Sequence, residues 1–129
     1  MAVGIHIIAD LYGVDSRLLE RAESMMNVIE EAVKFAKLTK VSSDYYQFEP
    51  FGASGVVLIA ESHLSFHTWP EHGLVTLDIY TCGAPEEAEK AYQYILEKLK
   101  PERVEVVFVE RGKEVQEDKK PDIEESEQR

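Results

Sequence analysis

The segment Glu61-Ser62-His63-Leu64-Ser65-Phe66-His67-Thr68-Trp69-Pro70-Glu71 puts hydroxyls, two imidazoles and two carboxylates within eleven residues. A serine hydroxyl becomes a nucleophile once a base takes its proton, and histidine exchanges protons near neutral pH. Each piece also has a plain reading: Ser62 as a turn residue after an apolar run, His63 and His67 as surface or satisfied core histidines. His63, His67 and His72 have no matching pair elsewhere, and His6 is the one further imidazole. A zinc site needs three or four ligands in tetrahedral reach, so no metal is expected. Cys82 is the sole cysteine, which excludes an intrachain disulfide and any multi-cysteine metal site. Such a thiol is either buried filler or a reactive group.

The elements that must hold these groups can be read from periodicity. Residues 4–12 are rich in Ile and Leu, alternate loosely and stop at Gly13, as a strand does. Asp15 or Ser16 can cap a helix whose apolar face is Leu18, Ala22, Met25, Ile29, Ala32 and Ala36. Residues 40–49 read as a strand broken at Pro50, and Gly52 and Gly55 bracket a turn before an apolar strand at 56–60. Two more strands, 65–69 and 74–80, flank a turn at 70–73. Pro85 with Glu86 and Glu87 opens a second helix. Its core face is Ala88, Ala91, Ile95 and Leu99, and Pro101 ends it. Residues 103–110 form a last strand. The order β-α-β-β-β-β-α-β predicts an α+β fold: a two-layer sandwich with two helices on one face of an antiparallel sheet.

This accounts for one domain over residues 1–110. In the remaining tail, 111–129, 12 of 19 residues are charged, and disorder is expected there. The whole chain has 14 basic against 25 acidic residues, a net charge of −11. That balance argues against nucleic acid or an anionic membrane surface as the main partner. No run of apolar residues is long enough to span a bilayer. The first residues lack the basic region and cleavage site of a signal peptide, which makes a cytoplasmic location the expectation.

Taken as a unit, residues 61–71 resemble the self-cleavage and active-site motif of the prokaryotic S-adenosylmethionine decarboxylase proenzymes. The resemblance extends to Phe51-Gly52-Ala53-Ser54-Gly55-Val56-Val57, to Leu77-Asp78-Ile79-Tyr80-Thr81-Cys82-Gly83, and to Gly4-x-His6 and Leu11-Tyr12-Gly13-Val14-Asp15. It covers residues 4–110; Val14 stands where many relatives have a cysteine. The resemblance implies the same β-α-β-β-β-β-α-β fold and a cut between Glu61 and Ser62, giving a β chain of residues 1–61 and an α chain of 62–129. Ser62 would become a pyruvoyl cofactor that captures the substrate amine as a Schiff base and takes up the electrons left by carbon dioxide, the part pyridoxal phosphate plays elsewhere. His67 and Ser54 match the residues that promote maturation. Cys82 matches the proton donor, and a thiol with a pKa of about 8.5 is still protonated at neutral pH.

Phe48, His67 and Trp69 match the faces on which an adenine ring stacks, and Glu71 the carboxylate that binds ribose hydroxyls. The implied substrate is S-adenosylmethionine, the product the aminopropyl donor for spermidine, and the assembly a homodimer of processed α/β protomers with Phe48 reaching the neighbour's site. A pyruvoyl decarboxylase of arginine or another basic amino acid on the same fold is the alternative. S-adenosylmethionine is favoured because residues 51–55 keep the serine-bearing turn. A non-catalytic paralogue would usually have lost the serine or the cysteine, whereas Ser62, His67 and Cys82 are all present.

Overall fold

Alternation builds the sheet. In the strand Leu74–Thr81 every second residue, from Val75 through Leu77 and Ile79 to Thr81, is buried, and the residues between are half-exposed. The computed structural model describes residues 3–114. Its elements are β1 (Gly4–Tyr12), α1 (Ser16–Leu19), α2 (Ala22–Phe35), β2 (Lys40–Gln47), β3 (Ala53–Ile59), β4 (Ser62–Trp69), β5 (Leu74–Thr81), α3 (Pro85–Leu99) and β6 (Arg103–Arg111). All neighbouring strands are antiparallel, in the order β2-β3-β4-β5-β1-β6.

One face of the sheet carries the helices. Met25, Ile29, Ala32 and Val33 of α2 and Ala88, Ala91, Tyr92, Ile95 and Leu99 of α3 are buried. They form one core with Ile7, Ala9 and Leu11 of β1, Leu64 and Phe66 of β4, and the buried residues of β5. The other face has no helix over it among the described residues. Ile8, Val56, Leu58 and Val107 lie on that open face and are each more than two-fifths exposed. The two-layer α+β sandwich expected from the sequence is therefore the fold.

Four details differ from the sequence reading. β3 begins at Ala53, three residues before the expected start, so Ser54 and Gly55 lie in the strand and not in a turn. The single helix expected from Asp15 to Ala36 is two, because Arg21 is extended (φ −116°, ψ 137°). Groups of the sheet capture the backbone there. Gln47 accepts from the Ala22 N–H (2.5 Å) and donates to the Glu20 carbonyl (2.9 Å), and the Thr68 hydroxyl donates to the Leu19 carbonyl (2.9 Å). β4 begins at Ser62, three residues before the expected start. Finally, β6 runs to Arg111, paired with Gly4, so the charged tail starts later than residue 111; its residues 115–129 lie outside the described part.

Candidate active site

Ile59 of β3 pairs with Ser62 of β4, so Ala60 and Glu61 alone make the turn of a two-residue hairpin. The Ala60 N–H donates to the Thr39 carbonyl (2.8 Å), and the Thr39 N–H and hydroxyl donate to the Glu61 carboxylate (3.2 Å each). On the other side, the Cys82 N–H donates to the Glu61 main-chain carbonyl at 2.9 Å. That carbonyl belongs to the Glu61–Ser62 peptide bond. A backbone N–H already aimed at its oxygen would stabilise the negative charge that grows there when a nucleophile adds to the carbon. Cys82 itself is exposed, which removes the reading of it as buried filler. With Gly4, Ile5, Gly83 and Glu110 it lines a cleft of about 390 Å³.

A second group gathers at the far end of the same strands. Ser54 of β3 faces His67 of β4, and the Ser54 hydroxyl and His67 Nδ1 share a hydrogen bond of 2.6 Å. The Trp69 ring centre lies 6.2 Å from that of His67. Phe48, Ser54, His67, Trp69 and Glu71 all line one cleft of about 290 Å³. Phe48 is 45% and Trp69 38% exposed, so neither is a core residue. The cleft thus offers two aromatic faces, an imidazole and a carboxylate to a ligand.

The two groups do not meet within one chain. Ser62 and His67 share β4 at an odd spacing, so their side chains leave opposite faces of the sheet. At about 3.3 Å per residue their Cα atoms are about 16 Å apart. Ser62 has the parity of Leu64 and Phe66, which face the helices, and His67 stands on the open face. The structure brings Glu61, Ser62 and Cys82 together, and separately Phe48, Ser54, His67, Trp69 and Glu71.

The family model for S-adenosylmethionine decarboxylase matches residues 5–112. The chain belongs to the S-adenosylmethionine decarboxylase family. An S-adenosylmethionine decarboxylase proenzyme of Thermoplasma volcanium is 64% identical over 112 residues, 87% of this chain and 86% of that one. One of Thermoplasma acidophilum is 58% identical over 126 residues, 98% of this chain and 96% of the relative. The crystal structure of the adenosylmethionine decarboxylase from Aquifex aeolicus superposes with a TM-score of 0.88 at 53% identity, covering 93% of this chain and 98% of that one. The Trypanosoma brucei protein shares the fold, with a TM-score of 0.58 at 16% identity, and this chain covers 45% of it. No helix among the described residues is long and apolar enough to cross a membrane.

Between the two clefts, this decarboxylase chain carries a polar hub that the spacing of its histidines did not reveal. His63 does not join His67 and His72; it meets His6 of β1 and Asp78 of β5. Asp78 takes hydrogen bonds from His6 Nε2 (2.5 Å), from His63 Nε2 (3.2 Å) and from the Ser65 hydroxyl. Burial pushes the Asp78 carboxyl up, but the bonds from Ser65, His6 and His63 outweigh it and hold the group below the usual carboxylate range. The ligand atoms of His6, His63 and Asp78 lie within 4.8 Å of one another, which would admit a metal ion. The bond pattern points elsewhere. The Arg111 guanidinium donates to His6 Nδ1 (2.9 Å), so the His6 proton sits on Nε2 and leaves no lone pair there for a metal. The signal available in the sequence was Asp78 itself, an acid in the middle of an otherwise apolar alternating strand.

Proposed function

We propose that the chain is a precursor that cuts itself between Glu61 and Ser62, acquires a pyruvoyl group from Ser62, and decarboxylates S-adenosylmethionine to make the aminopropyl donor for spermidine. The observation that carries this reading is the Cys82 N–H held 2.9 Å from the Glu61 carbonyl oxygen, at the peptide bond of the motif. Ser62 Oγ bonds to the Glu61 carbonyl carbon; the C–N bond breaks and the nitrogen takes the hydroxyl proton, leaving an ester. Loss of the Ser62 Cα proton with cleavage of the Cβ–Oγ bond then releases Glu61 as a carboxylate and leaves dehydroalanine. Water replaces its nitrogen, which departs as ammonia. The pyruvoyl group so formed supplies an electron sink for decarboxylation.

The remaining work falls to side chains already in place. Cys82, exposed beside Ser62, is the proposed donor of the proton that the substrate Cα takes once carbon dioxide has left. Phe48 and Trp69 suit an adenine ring, and Glu71 suits ribose hydroxyls. Aromatic faces also favour the sulfonium cation.

The separation of the two residue groups supports a homodimer in which His67, Ser54, Phe48, Trp69 and Glu71 of one chain complete the site built on Ser62 and Cys82 of the other. Intact mass spectrometry tests the cut. Two fragments divided at 61/62, the second with a blocked N-terminus, are expected, and Ser62→Ala should stay whole and inactive. A wild-type chain that remains a single species with a free Ser62 hydroxyl would refute the reading. Carbon dioxide release from S-adenosylmethionine against arginine fixes the substrate; turnover of arginine alone would overturn it.

A further inference from the structure

We propose that Thr39 and Thr81, neither of which touches a reacting atom, are positioning residues for the cut at Glu61–Ser62. The proposal rests on the self-cleavage reading. A two-residue turn cannot by itself hold a peptide bond in the attitude that an attacking hydroxyl and an oxyanion donor both require, and a misplacement of about 1 Å costs on the order of a hundredfold in rate. Something outside the motif must fix it.

Thr39, the residue before β2, holds the acyl side of the bond. Its carbonyl takes the Ala60 N–H, and its N–H and hydroxyl both bind the Glu61 carboxylate. Three hydrogen bonds from one residue thus fall on a turn of two residues. Thr81 holds the oxygen's partner. It ends β5 directly across from Ser62, it is fully buried, and its hydroxyl accepts the Gly83 N–H at 3.0 Å. That bond closes the chain around Cys82 and so aims the Cys82 N–H at the Glu61 carbonyl. Gly83 suits the tight turn: a Cβ there would stand 3.1 Å from Glu87 Oε1 and 3.2 Å from Glu61 Cγ. One threonine grips the acyl residue and the other sets the donor to its oxygen. Valine at position 81 would keep the volume and leave the Gly83 N–H without its acceptor.

The test is the first-order rate of self-cleavage of freshly translated full-length chain, followed on denaturing gels. Thr39→Val and Thr81→Val should each cut about tenfold or more slowly than wild type, and Thr39→Ser and Thr81→Ser should recover most of the rate. Hydroxylamine, which cleaves an ester, should not speed the valine variants, because they are slowed before the ester forms. Melting temperatures measured alongside separate a loss of fold from a loss of rate. Thr39 is exposed, so its valine variant, which keeps the two main-chain bonds and loses the hydroxyl's bond to Glu61, reads the side-chain part of the clamp even where the buried Thr81→Val does not fold. Valine variants that cut at the wild-type rate, serine variants as slow as the valine ones, or ester accumulation in the valine variants would overturn the clamp. A wild-type chain that never cuts overturns the self-cleavage reading beneath it, which is a different result.

Discussion

Chains carrying Ser62→Ala and chains carrying His67→Ala, each defective alone, should repair one another when made together. Ser62 and His67 stand on opposite faces of β4, about 16 Å apart at about 3.3 Å per residue, and catalytic proton transfer needs about 3 Å or one bridging water. No side-chain rotation closes that gap within one chain, so the proposed action of His67 on Ser62 requires a Ser62 from another chain. In a two-fold dimer of the two variants, one site then pairs the altered Ser62 with the altered His67, and the other pairs an intact Ser62 with an intact His67.

With equal expression and random pairing, about half the dimers are mixed, and each mixed dimer has one whole site of two. About half of the chains that keep Ser62 should therefore be cut, and decarboxylase activity should reach about a quarter of wild type. Intact mass distinguishes the two chains, and carbon dioxide release reports the activity. A mixture as dead as its components would refute the shared site. So would a His67→Ala chain that cuts normally alone, since it removes His67 from maturation.

Cys82→Ala should still cut, because the variant keeps the main-chain N–H that meets Glu61, but its turnover should fall by about 10²–10⁴-fold; normal turnover would remove the thiol as proton donor. Asp78→Asn should cost about 1–3 kcal/mol in thermal or urea unfolding at neutral pH. A carboxyl held low by its partners stabilises the fold above the ordinary carboxylate pKa of about 4 and loses that contribution as pH falls through its own lower value. The gap between wild type and Asp78→Asn should therefore close in the acid range below about pH 4; a gap that persists there assigns it to packing. Gly55→Ala should destabilise by about 1–3 kcal/mol, read as a drop in melting temperature. An added Cβ would stand 2.5 Å from both Phe66 Cε2 and Tyr45 Cδ1. Phe66 is 1% exposed, and Tyr45 is tied to Glu30 by a 2.6 Å hydrogen bond, so neither ring yields freely.

What local pattern can carry was legible in the sequence. Alternation or short apolar runs marked the six strands, though not where β3 and β4 begin, and the steps of three and four marked the faces of α2 and α3, because burial on one side of an element is written into its own residues. The features that were not legible are made by partners far along the chain. The break at Arg21 comes from Gln47 and Thr68, and no periodicity within residues 16–36 contains them. The hub at Asp78 needs β1, β4 and β5 side by side, which only the strand order provides. The hairpin grip of Thr39 on Glu61 is likewise set by where α2 releases the chain into β2.

The start of β4 mattered most. With a strand beginning at residue 65, Ser62 sits in a loop and can be pictured turning toward His67. With the strand beginning at Ser62, the odd spacing between the two residues puts them on opposite faces. The motif is continuous in the chain but divided in space, its first residues held against the Cys82 main chain and its last residues in the cleft with Ser54 and Phe48. In the proposed dimer each copy of the motif would therefore serve two sites, giving Glu61 and Ser62 to one and His67, Trp69 and Glu71 to the other. A substitution in this strand that tilts its partner's approach would then impair cutting and substrate binding together. A change confined to one end should separate them: Glu71→Gln raising KM for S-adenosylmethionine while the precursor still cuts, and Glu61→Gln slowing the cut through the lost grip of Thr39. If Glu71→Gln instead blocked the cut and left KM unchanged, that division of labour along β4 would be wrong.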